Sequence, residues 1–345
     1  MSLVEFTVTR NTQKNVINSE GFLENVGNNV PGFEYKRELI VVFDDPESDS
    51  DEIEEVFTYR GALIEPASTN LFLYSEDFSN DSWTKNTIGI NYNIGTSGIQ
   101  SNVAVSPNGS ITADRVNFIN QNNTDVGLLE IVPSGVSGDT FVVSFFVKGE
   151  GNNIGKNITI KIKRHSGGSF VGQTKTFTLT DEWQRVEVKL TLITNNTGTQ
   201  TIISSDINGA TSCLLWGAQL EKSSELSSYI KTTGSIATRN ADIIRLLNAD
   251  QYTPNEGQVV LEWEQYESDT LHIGLVSGSV EPGVRKLKFI YTSTEQKLYI
   301  DDVLVDSITG NYDWSGMDKI ELGNFNGTNQ PTTHLRLFAI NENTV

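Results

Sequence analysis

The chain has almost no cysteine: Cys213 is the single thiol in 345 residues, so no intrachain disulfide can form. That places its folding in a reducing compartment. Cys213 lies in the apolar run Cys213-Leu214-Leu215-Trp216 and is expected to pack as a small inert hydrophobe. No apolar stretch approaches the ~18 residues that a membrane-spanning helix requires. The start, Met1-Ser2-Leu3-Val4-Glu5, has no basic segment followed by an apolar one, so no secretory signal is expected. Basic charge is scarce as well. Twenty-five Lys and Arg face 44 Asp and Glu, a net charge of −19 that repels phosphate backbones and anionic lipids. Neither nucleic-acid binding nor membrane insertion is expected. The three histidines, His165, His272 and His334, are far apart and form no HxH or HExxH spacing for zinc. No GxSxG phrase marks a serine nucleophile, and Gly-rich pieces such as Ser166-Gly167-Gly168-Ser169 precede no helix that could cradle phosphate.

What is plentiful is Gly, Asn, Thr and Ser between short β-patterned runs, a mixture that predicts an all-β protein. The length exceeds what one core usually supports, so two or three domains are expected. Residues 1–70 read as a leader. It holds strands at Phe6-Thr7-Val8-Thr9 and Leu39-Ile40-Val41-Val42-Phe43, two short β pieces around a turn between Asn15 and Leu23, and an acidic loop of eight carboxylates from Asp44 to Glu55. Residues 71–240 alternate strands and turns at sandwich spacing. Phe141–Val147 reads as the strongest strand, Arg185–Leu192 alternates, and Ile158–Lys163 puts isoleucines on one face with Thr159 and Lys161 facing water. Thr232-Thr233-Gly234-Ser235 reads as a linker. Residues 241–345 contain seven strands packed into about 85 residues, dense enough for a small two-sheet sandwich. That unit is either minimal or completed by the leader.

Particular phrases carry a family likeness. Leu63-Ile64-Glu65-Pro66-Ala67-Ser68-Thr69-Asn70-Leu71-Phe72-Leu73-Tyr74-Ser75-Glu76-Asp77-Phe78, then Trp83-Thr84-Lys85, Glu182-Trp183-Gln184-Arg185-Val186, Leu215-Trp216-Gly217-Ala218-Gln219-Leu220-Glu221, Ser228-Tyr229-Ile230 and Thr238-Arg239-Asn240-Ala241-Asp242 stand in one order across 63–242. Together they resemble a module of tailed-phage structural proteins of the fibre, tail or capsid-decoration type. Lys231 stands where the family usually has proline, and Gly32 where it has arginine. The resemblance implies a carbohydrate-binding-module-like jelly roll over 71–240, preceded by an attachment leader. Residues 256–340 are similar to a concanavalin A/laminin-G-like sandwich, with Lys297-Leu298-Tyr299-Ile300-Asp301-Asp302 as its hairpin.

On that likeness the chain is expected to be a non-enzymatic virion-surface protein made in the host cytoplasm. It would contact other virion proteins through residues 1–70 and form a homo-oligomer, a trimer by analogy with fibres. Recognition of a host-surface glycan is the alternative, and a polysaccharide depolymerase the remaining one. Glycan cleavage needs two carboxylates about 5–10 Å apart across a cleft. Glu262/Glu264 sit on a strand and Asp301/Asp302 in a turn, so no catalytic residues are assigned. Sugar binding needs exposed rings flanked by polar groups. Trp83, Trp183 and Trp216 read as core or rim packing, which leaves Tyr312 and Trp314, in the loop Gly310–Gly316, as the carbohydrate-binding candidates. The modules resembled often hold a structural calcium near their first and last strands, which points to Glu76, Asp77 and Glu221 as its ligands.

Overall fold

Alternating apolar residues in runs too short for helices leave the backbone one economical solution, hydrogen bonding between strands. In a computed structural model of the protein, the described residues are 2–3, 6–20, 22–28, 33–42, 52–85, 98–118, 128–132, 134–164, 172–195, 197–205, 209–247, 256–265, 269–273, 276–280, 283–312, 319–322 and 333–341. The fold is all-β. Its strands pair antiparallel, and the one helical element among the described residues is a 3-10 turn at Gly151–Asn153. The chain forms two compact units, one of residues 68–238 and one of residues 1–67 with 239–345. The first is therefore inserted in the sequence of the second.

The 68–238 unit has two five-stranded sheets. One runs Gln184–Thr191, Thr140–Lys148, Ser212–Glu221, Ile111–Asn117, Ile99–Val105; the other runs Gly172–Thr178, Asn157–Arg164, Thr199–Ser205, Leu128–Val132, Thr84–Lys85. Their inner faces share one core, with Phe141, Val143, Phe145, Val186, Val188 and Leu215 from the first and Ile158, Ile160, Ile162 and Ile203 from the second. Thr159 and Lys161, expected to face water, are only 1% and 6% exposed. Their strand is interior to the sheet, where Thr159 lies opposite the equally buried Ser204. Two-residue periodicity identifies the faces of a strand but not whether the second face is also covered.

Two stretches, 70–75 and 227–233, cover the C-terminal half of the Ser212–Glu221 strand, the first by backbone hydrogen bonds to Ala218 and Leu220 and the second by packing Tyr229 on Trp216 and Phe146. Asn70 Nδ2 donates to the carbonyls of Ala218 and Ile230, while its Oδ1 accepts from the amides of Phe72 and Leu220. Gln219 accepts from the Ile230 amide and donates to the Ser228 carbonyl. Ser75 Oγ accepts from the Thr232 amide and shares a 2.7 Å hydrogen bond with the Tyr229 hydroxyl. Thr232, taken from sequence as part of a linker, is thus a buried member of this cover, and Gly234 N donates to the Leu73 carbonyl. Beneath it Trp216 packs 4.7 Å from Tyr229 and 5.5 Å from Phe146, with the Arg185 guanidinium over the Phe146 ring. Gly217 makes this packing feasible. Ser144 pairs with Gln219 but Phe146 with Trp216, so Gly217 lies in a bulge, at φ +61°, where a Cβ would come within 2.8 Å of the Phe146 ring.

The other unit joins residues 1–67 to 239–345. Its larger sheet runs Val303–Thr309, Glu295–Ile300, Gly283–Thr292, Glu256–Gln265, Thr333–Asn341, Glu52–Ile64, Phe33–Val42, with Ser2–Leu3 also paired to Thr333–Asn341. The smaller runs Phe6–Thr9, Ile243–Leu247, Lys319–Leu322, Asp269–Ile273, Val276–Val280. The leader is therefore not a separate region. It supplies strands to both sheets, because the strands of 241–345 alone would leave the edges at Ile243–Leu247 and Thr333–Asn341 unpaired. The acidic run also divides: Glu52, Glu54 and Glu55 belong to the Glu52–Ile64 strand, while 43–51 lie outside the described residues. Lys14–Ile17 and Leu23–Val26 form the expected hairpin.

Candidate functional site

Three arrangements were candidates for chemistry. The first is the expected calcium set, which the fold does not assemble. Glu221 is fully buried; it accepts from the Ser68 hydroxyl, from the Ser227 hydroxyl at 2.5 Å and from the Ser227 amide at 3.0 Å. Glu76 accepts from the Tyr229 hydroxyl at 2.9 Å and from Lys231 Nζ at 2.7 Å, the latter an ion pair. Burial, reinforced by Glu76, pushes the Tyr229 phenol well above its ordinary range and keeps it a neutral donor. Asp77 accepts from the hydroxyl and amide of Ser79. Each carboxylate already has protein partners, and among the described residues no group of three His, Cys, Asp or Glu could hold a metal ion. Near Glu76 and Asp77 lies a carboxyl that sequence reasoning missed. Asp114 is 1% exposed and accepts from the amides of Phe78 and Asn102; burial raises its pKa to about 6 against those two hydrogen bonds, with Asp77 and Glu76 adding to the rise.

The second arrangement was not expected at all. Arg10, Lys14, Glu65, Arg239 and Asp242 are each at most 1% exposed. Asp242 accepts from Arg10 Nη1 at 2.5 Å, from Lys14 Nζ at 2.7 Å and from the Glu65 amide at 3.0 Å. Lys14 Nζ lies 2.9 Å from Glu65 and also donates to the Leu63 carbonyl; Arg239 lies 3.7 Å from Glu65 and donates to the Pro66 carbonyl. Glu65 and Asp242 belong to the family-like phrases, and their role in this fold is to join the leader to the segment re-entering at 239. Every polar contact just described lies within residues 1–67 and 239–345.

The third arrangement is the neighbourhood of Tyr312. The turn after Gly283–Thr292 is fixed by Thr292 Oγ1, which accepts from the amides of Thr294 and Glu295. The chain leaving Val303–Thr309 is bound to that turn by Gly310 N to the Thr294 carbonyl, 2.9 Å, and Tyr312 N to the Ser293 carbonyl, 2.8 Å. Together they border an open depression of about 500 Å³ lined by Thr294, Glu295, Thr309, Gly310 and Asn311. Glu295 is half-buried and paired with Lys297 at 2.7 Å, and that hydrogen bond raises the lysine's pKa. The half-buried Tyr312 ring lies against Gly310, where a Cβ would come within 3.0 Å of its Cζ and Oη. Trp314, the other aromatic candidate, lies outside the described residues.

Of the acid pairs considered for glycan cleavage, Asp301/Asp302 has both side chains among the described residues. Asp301 and Asp302 occupy a tight hairpin turn at φ +50° and +65° and bind Arg285, Lys286 and Lys288 on the neighbouring strand Gly283–Thr292. The Glu262 side chain is outside the described residues, as are those of His165, His272 and His334. Trp83 and Trp216 are 1% exposed, and Trp183 is half-buried with Nε1 donating to the Val105 carbonyl, which agrees with packing roles.

No protein-family model and no curated protein matches the chain. Among solved structures it is similar to the N-terminal CBM22-1–CBM22-2 tandem domain of Xyn10C from Paenibacillus barcinonensis, at 10% identity and a TM-score of 0.33, covering 82% of this chain and all of that one.

Proposed function

We propose that the chain is a non-enzymatic structural protein of a tailed-phage particle, a fibre, tail or capsid-decoration subunit that displays its two β units at the virion surface. One observation carries the reading: the phrases that resemble phage structural proteins fall on scaffold. Asn70, Ser75, Gln219 and Tyr229 fasten the cover of the 68–238 unit, and Glu65, Arg239 and Asp242 build the buried ion network. What the likeness shares is thus internal scaffold in each of the two units. The net charge of −19 suits a particle surface and opposes packaged nucleic acid. Contact with other virion proteins runs through residues 1–70, of which 1–67 belong to the unit whose edge strand is Phe33–Val42, and the assembly is a homo-oligomer, a trimer by the family likeness.

The test is composition. Mass spectrometry of purified particles should find the chain at a fixed copy number, and immunogold labelling should mark one particle position. Its absence from purified particles would sink the proposal. A second reading, attachment to host-surface glycan, is favoured by the polar depression beside Tyr312.

A further inference from the structure

We infer that the depression bordered by Thr294, Glu295, Thr309, Gly310 and Asn311 is a binding site for neutral hexopyranose units within a longer polysaccharide; the inference rests on the glycan-attachment reading and assigns it a place and a sugar class.

The argument begins with rigidity. Weak ligands such as sugars are bound well only where the protein has little left to order. Here two backbone hydrogen bonds bind Gly310 and Tyr312 to the Ser293–Thr294 turn, and Thr292 Oγ1 holds that turn from within. The groups presented suit a polyol. Glu295 offers a carboxylate that accepts from vicinal hydroxyls and is oriented by Lys297. Asn311 offers an amide that both donates and accepts, and Thr294 and Thr309 offer hydroxyls. Among the described residues no hydrogen bond engages the side chains of Thr309 or Asn311, and both residues are exposed. The nearest aromatic surface is Tyr312, whose ring lies against the lining residue Gly310 and so beside the depression.

Charge and shape narrow the ligand. Glu295 and a protein charge of −19 oppose uronates, sialates and phosphorylated sugars, which leaves neutral hexoses. The volume of about 500 Å³ falls within the roughly 300–1,000 Å³ typical of small-ligand sites. The depression is open, so the sugar chain continues past it on either side. An open site with one ring implies modest affinity per copy, which several copies on one particle raise by avidity.

The experiment uses the full-length chain on a polysaccharide array holding dextran, mannan and galactan as neutral probes and alginate and polysialic acid as acidic ones. Oligosaccharides of any bound neutral polymer are then titrated by NMR. The expected result is binding to at least one neutral polymer and to neither acidic one, weakened about tenfold or more by Asn311→Ala and by Tyr312→Ala. Asn311→Ala removes an exposed side chain and decides the matter if Tyr312→Ala disturbs the hairpin by circular dichroism. Binding to no probe, to acidic probes only, or binding that Asn311→Ala leaves intact overturns the inference. Any of these outcomes leaves the particle-composition test of the structural role untouched.

Discussion

Replacing Asp242 by asparagine removes one negative charge from a site that water does not reach. Three cations, Arg10, Lys14 and Arg239, there share two carboxylates, Glu65 and Asp242. Asp242→Asn leaves three cations to Glu65 alone, and the amide nitrogen it introduces must point at Arg10 or at Lys14 and the Glu65 amide, all of them donors. Breaking a buried pair from one side costs about 3–5 kcal/mol, because the remaining charge stays desolvated. With urea m-values of about 1–3 kcal/mol/M, the midpoint of the affected unit should fall by on the order of 1–2 M. Lys14→Met should cost less, since it leaves two cations to two carboxylates and a side chain of similar length. Pulse proteolysis across a urea titration, with fragments identified by mass spectrometry, reports residues 1–67 and 239–345 separately from 68–238. The expected loss is confined to the first set. A midpoint for Asp242→Asn unchanged within about 0.5 M, or a Lys14→Met loss larger than that of Asp242→Asn, would refute the charge-counting argument.

Three further outcomes are expected. Asp114 has a folded pKa of about 6 against an ordinary 3.8, so its ionised form destabilises the fold at pH 7 and its contribution improves as pH falls through 6 toward 4. Measured by urea unfolding, wild type should gain about 2–3 kcal/mol relative to Asp114→Asn between pH 7 and pH 4, and a pH-independent difference would contradict the burial argument. Gly217→Ala combines a left-handed backbone with a Cβ against the Phe146 ring and should lower stability by about 2–4 kcal/mol, read as a fall in Tm; an unchanged Tm would mean that the bulge relaxes freely. Cys213 is 1% exposed and burial pushes its thiol well above the ordinary range, so a colorimetric thiol reagent should react in urea but not with the native chain.

Strand existence was legible because it is local. Gln184–Thr191 buries Val186, Val188 and Leu190 in strict alternation, and Thr140–Lys148 is buried through its apolar run, both as the side-chain pattern requires. Strand partnership was not legible. Arg10 and Asp242 are 232 positions apart, and Phe6–Thr9 pairs with Ile243–Leu247 across the whole inserted unit, so no window of sequence contains both halves of either contact. Charged residues misled for a related reason. Glu221 was expected as a calcium ligand and Asp242 was given no role, and only the fold reveals the hydroxyls of Ser68 and Ser227 or the cations that allow them to be buried. Tyr312 was singled out from its loop context alone. The turn that faces it, Ser293–Glu295, is a hairpin partner that loop composition does not announce.

The account turns on the leader being part of a sandwich and not a free attachment arm. Native-state hydrogen exchange on the intact chain tests this directly. Amides of Phe6–Thr9, Lys14–Ile17 and Glu52–Ile64 should be protected to the same free energy as those of Glu256–Gln265 and Gly283–Thr292 and be lost in the same cooperative step. Exchange of residues 1–67 at unfolded-chain rates, while 256–309 stay protected, would contradict it.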